Sequence, residues 1–230
     1  MLSGMKIQII IKDKIGDVII CMPIAQYYKN RGYVVTVVVR EEIISNFNSG
    51  HFPEIVFKTV ANPDVNTLDL SYNSTKLKYK KQTKYTFDEY KYYLAGVPFM
   101  TKWELVIKRN RSREDALYLK VNPNNEPYYL FCNTTSDYEL KFDIKTNNNI
   151  KHITKLTDCV FDWLYIIEHA QGVILTESCF SNLIDQLKIK IPVMFLILSP
   201  GRDNYFDRIG RSKGRPILNG KWNILKYDDC

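Results

Sequence analysis

The sequence predicts an α/β protein of two domains, each built on a parallel sheet, and three observations carry that prediction. Residues 6–39 read as strand, loop, helix, strand. A similar succession of apolar strands and helices returns between Tyr128 and Leu198. Between the two lies Asn122-Pro123-Asn124-Asn125-Glu126-Pro127, the strongest linker signal in the chain, which places the boundary so that residues 1–122 and 123–230 form two Rossmann-like domains.

Ile7 to Ile11 is a β-branched run without in/out alternation, as a strand covered on both faces of a parallel sheet requires. Asp17 is placed to cap a helix with apolar residues Val18, Cys21, Met22, Ala25 and Tyr28 at helical spacing, closed by Arg31-Gly32. Pro23 stands inside it, at a cost of about 3 kcal/mol unless the helix bends or starts late. Tyr33 to Val39 is a second strand, Glu41 to Phe47 a short helix, and Glu54 to Val60 and Thr67 to Ser71 further strands. Thr86-Phe87-Asp88-Glu89 is a capping box opening a helix to Gly96, with its tyrosines read as core.

Residues 111–121 take helical spacing. The second half continues with strands at Tyr128 to Cys132 and Ile150 to Ile153, then a helix capped by Asp158 and running to about Ala170. Gly172 turns the chain into Val173 to Thr176, Glu177-Ser178 opens a helix carrying Phe180, Leu183, Ile184 and Leu187, and Ile191 to Leu198 is the next buried strand.

The chain has 230 residues, 45% apolar and 13% aromatic, enough to fill cores, and a net charge of +7 that suits an anionic partner. Five scattered cysteines without a CxxC pair argue against a disulfide framework or a zinc site, and His51, His152 and His169 have no ligand spacing, so no metal is assigned. No apolar run reaches the roughly 18 residues of a membrane-spanning helix. The expected setting is the cytoplasm, free or peripheral at the inner membrane surface. Lys76 to Tyr85 interleaves lysine with tyrosine, which reads either as a grip on phosphates and bases or as a solvated loop.

Ligands of parallel βαβ units gather at the carboxyl ends of the strands, so the loop Lys12-Asp13-Lys14-Ile15-Gly16-Asp17 is the first candidate site. Gly16 allows close approach of backbone, the helix start offers N–H groups to an anion, and Lys12 and Lys14 add positive charge. Asp17 has two readings: a helix cap, or a carboxylate placed to take a proton from an incoming hydroxyl. In the second half, the loop after Cys132 carries Thr134, and Thr176-Glu177-Ser178-Cys179 sits at a helix N-terminus where backbone donors hold a diphosphate; there too Ser178 and Glu177 read equally as cap and as dipole partner.

Gly16-Asp17-Val18 followed by Met22-Pro23-Ile24-Ala25 resembles the first βα unit of the heptosyltransferase-like glycosyltransferases (glycosyltransferase family 9), and the run from Asp158 through Ala170-Gln171-Gly172 and Ser178 to Pro192-Val193 resembles their donor-binding half. The resemblance implies a GT-B-like fold, two domains facing a central cleft, and metal-independent transfer of a sugar from a nucleotide-sugar donor, the co-substrate, with no further cofactor. It implies Asp17 as general base, Lys12, Lys14 and Gly16 on the acceptor side, and Thr134, Glu177, Ser178, Cys179, Gly201 and Arg202 at the donor. The acceptor is either an anionic glycan or nucleic acid, a DNA-base hydroxyl. The family's acid-Ser/Thr-Gly-Pro-x-His motif stands here as Glu177-Ser178-Cys179-Phe180-Ser181. That departure supports the rival reading, a catalytically silent module for an anionic ligand or a protein partner.

Overall fold

The computed structural model describes residues 4–75, 85–135, 139–141, 149–198 and 221–226. The chain divides into two compact units, Met1–Lys108 and Arg109–Cys230, and both are α/β with parallel sheets.

In the first unit β1 (Lys6–Ile10), β2 (Val34–Val38), β3 (Val56–Lys58) and β4 (Asn66–Asp69) pair in the order β3-β2-β1-β4, all parallel. Ile7 and Ile9 are buried on one face of β1 and Gln8 on the other, where its amide bonds Asn62 and Thr67. Between β1 and β2 runs α1 (Ile15–Lys29), with every residue from Val18 to Ala25 buried, and between β2 and β3 the short α2 (Ile44–Asn48). An amphipathic stripe would bury only one side. Here the sheet covers one side, while α3 (Phe87–Leu94) and a 3-10 segment, Phe99–Glu104, cover the other. Tyr92 Oη donates to Ile20 O at 2.8 Å and Tyr28 Oη to Ala95 O at 2.7 Å, fastening that second layer. Pro23 lies inside α1, which continues through it. Gly32 follows the helix at φ +85, the left-handed conformation that glycine takes without strain. The capping box of α3 forms in both directions: Thr86 Oγ1 accepts from Glu89 N–H at 3.2 Å and Glu89 Oε2 accepts from Thr86 N–H at 2.7 Å. Of its tyrosines, Tyr90 and Tyr92 are core, whereas Tyr93 is exposed.

In the second unit β5 (Tyr129–Cys132), β6 (Ile150–His152), β7 (Gly172–Thr176), β8 (Val193–Leu198) and β9 (Asn223–Lys226) pair in parallel in the order β6-β5-β7-β8-β9. β9 was not foreseen. Gly172 pairs with Tyr129 and Val193 at the start of β7, and a Cβ there would stand 2.5 Å from the Tyr129 ring and 3.0 Å from Val193 O. Gly172→Ala is therefore expected to lower stability by about 1–3 kcal/mol through displacement of that ring, measured by urea denaturation.

Two expectations about this half change. The units divide after Lys108, ahead of the Asn122–Pro127 stretch, so α4 (Arg111–Val121) counts with the second unit. Its reason is ionic: Arg109 and Arg113 pair with Glu168 and Asp162. Asp158 does not cap a helix, since its carboxylate is taken by Arg113 Nη2. A 3-10 turn, Val160–Trp163, begins after Cys159 and leads into the short α5 (Leu164–Glu168). His169 follows α5 and packs against the Tyr165 and Tyr118 rings. Among the described residues no helix is long and apolar enough to cross a membrane.

Candidate functional site

Strand order places the first half-site. In the first sheet the order turns between β1 and β4, and loops leaving two such neighbours open a crevice at their carboxyl ends. The loops that leave there are Ile11 to Lys14 and Leu70 to Tyr72. They are stitched together: Lys12 N–H donates to Ser71 Oγ at 3.0 Å, and Tyr72 N–H donates to both oxygens of Asp13 at 2.9 and 2.8 Å.

Asp17 does not cap α1. The helix starts at Ile15 after Lys14, which has no side-chain cap bond, and Asp17 lies in the first turn. Its carboxylate Oδ1 instead accepts from Lys91 Nζ at 3.1 Å, and Lys91 also reaches Asp13 Oδ2 at 3.4 Å. Lys91 comes from α3 and its side chain is 0% exposed, against 9% for Asp13 and 31% for Asp17. Burial pushes the Asp17 carboxyl above the ordinary aspartate value; Lys91 opposes this, and Asp13 adds to it. For Lys91, burial works against the charge, but Cys21, Asp17 and Asp13 around it outweigh burial and hold its pKa above the usual lysine range. The result is a cation locked between two carboxylates, only one of which, Asp17, keeps an oxygen without a hydrogen bond among the described residues. Gly16 is the second residue of α1, Lys14 is half-buried at its entry, and Lys12 is exposed. A cleft of about 420 Å³ around Gln26, Asn30, Phe52 and Val106 sits at the other end of α1, away from Asp17.

In the second sheet the order turns between β5 and β7, which gives the second half-site at their carboxyl ends. Thr176 Oγ1 donates to Thr134 O at 3.1 Å, and the Cys132 thiol lies 3.5 Å from the same carbonyl, so Thr134 and the end of β7 are held side by side. α6 (Cys179–Gln186) begins directly after Ser178. Ser178 N–H donates to Ser181 Oγ at 3.3 Å, and Ser178 Oγ is buried beside the Cys132 thiol. Glu177 is half-buried beside it, and burial drives the Cys179 thiol up to about 12, so that Cys179 enters the site as a neutral group. Gly201 and Arg202 lie outside the described residues, as do residues 76–84 of the lysine-tyrosine stretch.

A glycosyl transferase family 9 structure from Veillonella parvula DSM 2008 superimposes with a TM-score of 0.63 over 98% of this chain and 88% of its own, at 11% identity. The fold is that of glycosyltransferase family 9 structures. TibC from enterotoxigenic E. coli H10407, an iron-containing dodecameric glycosyltransferase, matches with a TM-score of 0.54 at 14% identity, over 85% of this chain but 58% of TibC. A further TibC structure, described as a heptosyltransferase in complex with ADP-D-β-D-heptose, matches with a TM-score of 0.52 at 12% identity, over 85% of this chain and 58% of that one. At such identities the likeness is one of fold. No known protein-family pattern matches the chain, and no curated protein matches it by sequence.

Sequence reasoning singled out Asp17 and the β7–α6 turn, named Asp13 only as a member of its loop, and missed Lys91. One signal was available for Lys91: it stands four residues after Phe87 and next to Tyr90, on the apolar face of α3, where a solvated lysine has no place.

Proposed function

We propose that the chain is a glycosyltransferase that moves a sugar from a nucleotide-sugar to an acceptor hydroxyl, with Asp17 as general base. The observation that carries this reading is the Asp17 carboxylate, at the β1/β4 turning point, with Oδ1 on Lys91 and the rest of the group partly open to solvent. A base needs that combination: a fixed orientation, an open oxygen and an affinity for protons raised toward working pH. The acceptor O–H gives its proton to Asp17 as its oxygen bonds the anomeric carbon, and the bond from that carbon to the diphosphate oxygen breaks, its electron pair leaving with the nucleoside diphosphate. Thr134, Glu177, Ser178 and Cys179 form the donor side. The Ser178 hydroxyl and the backbone N–H groups at the start of α6 are suited to phosphate oxygens. Lys12, Lys14 and Gly16 line the acceptor side, Gly201 and Arg202 complete the donor side, and no metal ion takes part. The acceptor is an anionic glycan or nucleic acid, consistent with the net charge of +7.

A second reading, a silent binding module, is favoured by one observation: Cys179 and Phe180 occupy the positions that follow Ser178 at the start of α6, where the resemblance calls for small, backbone-exposing residues. A panel of nucleoside diphosphates and nucleotide-sugars, screened by thermal shift with donor turnover followed in EDTA, separates the two. One nucleotide family is expected to raise the Tm and its sugar conjugate to turn over. No shift at millimolar nucleotide would leave the donor half-site without function and favour the module.

A further inference from the structure

Lys91 is the only fully buried cation of the Asp17 half-site among the described residues, and a buried ammonium persists only where carboxylates take its charge. Two do, and they are not equivalent. Asp13 is spent: both its oxygens accept from Tyr72 N–H, Oδ2 also faces Lys91, and its side chain is almost closed to solvent. Among the described residues Asp17 has one bond, to Lys91, and it stays partly open. Lys91 itself is held from three sides. The capping box fixes the start of its helix, the Tyr92 hydroxyl on Ile20 O ties the next residue to α1, and the Phe87 ring centroid lies 4.8 Å from Nζ.

We propose that Lys91 is a positioning residue for the base, with Asp13 as its counter-charge: the Asp13–Lys91 pair turns one Asp17 oxygen inward, keeps the carboxylate ionised and leaves the other oxygen to the acceptor hydroxyl. The proposal rests on the transferase reading for its purpose, though not for its geometry. The one other charged group acting on Asp17 among the described residues is Asp88, itself held by Lys102 at 2.6 Å; the Cys21 thiol near Lys91 is pushed up to about 12 by burial.

The inference has signed consequences. In Lys91→Met the Asp13 charge acts on Asp17 with no cation to oppose it, so Asp17 titrates higher, by about 1–3 pH units. Because the reaction needs ionised Asp17, the acid limb of the kcat profile moves up by the same amount, with loss of activity near pH 6 that is regained at alkaline pH. Asp13→Asn acts the other way: Lys91 then serves Asp17 alone, and the limb moves down. In the double variant Asp13→Asn/Lys91→Met the like charge is gone as well, and the limb falls between the two singles. The Asp17 carboxyl is titrated by ¹³C NMR, assigned by difference with Asp17→Asn, beside the kinetic profiles. Opposite shifts in the two single variants are expected; if Lys91→Met does not fold, the downward shift in Asp13→Asn carries the test. An Asp17 titration unmoved in every folded variant overturns the proposal and leaves Lys91 a packing residue. Opposite NMR shifts without turnover of any nucleotide-sugar by the wild type would sink the transferase reading while the positioning of Asp17 stood.

Discussion

On the transferase reading, Asp17→Asn is expected to lower kcat by about 10²–10⁴-fold, the contribution of a positioned general base, and to leave nucleotide affinity unchanged. The substitution is chosen for its geometry. Asparagine Oδ1 still accepts from Lys91, which sits 3.1 Å from the carboxylate, so the half-site keeps its shape and loses only the proton acceptor. Steady-state turnover and nucleotide affinity, measured on the same preparations with Tm as the folding control, give the answer. Turnover within about tenfold of the wild type would place the base elsewhere. Asp13 is a poor substitute, since its oxygens already serve Tyr72 and Lys91.

The largest loss of stability is expected from Glu114→Ala. Glu114 is fully buried in the first turn of α4. It accepts from Arg109 Nε at 2.6 Å, from Arg109 Nη2, and from Arg111 Nη1 at 3.4 Å, while Arg109 Nη1 reaches on to Glu168 at 2.6 Å. Removing one partner leaves a largely buried guanidinium with half its acceptors gone, at a cost of about 3–5 kcal/mol. The urea midpoint should fall by that loss divided by the m-value, with an unchanged slope. Glu114→Gln keeps volume and one acceptor and should lose less. A loss below about 1 kcal/mol for the alanine variant would mean that the cluster is screened by water and contributes little.

That cluster also accounts for the placement of α4. Asn122-Pro123 has the composition of a linker, yet Arg109 and Arg113 bond acids 49 to 59 positions away in the second unit. Linker composition reports local backbone preference. It says nothing of which buried charges will find each other.

The same division runs through the candidate site. Features that depend on a few neighbouring residues were legible: the isoleucine-rich strand β1, the glycine after α1, the reciprocal Thr86 and Glu89 cap, and the helix that starts after Ser178. Their energetics close within one or two turns of chain, and residue type and spacing suffice to state them. The start of α1 was misplaced for the opposite reason. Asp17 reads as a cap when only its own helix is in view, but Lys91, 74 positions later, offers its carboxylate a stronger partner.

By itself the sequence determined two α/β units with parallel sheets, the loops at the carboxyl ends of β1 and β7, and Asp17 as the residue to watch. Only the tertiary structure decided that Asp17 stands against a buried lysine braced by Asp13. Periodicity records which faces are apolar, whereas the desolvation of a charge and its repayment by another depend on groups that meet only when α3 closes over α1.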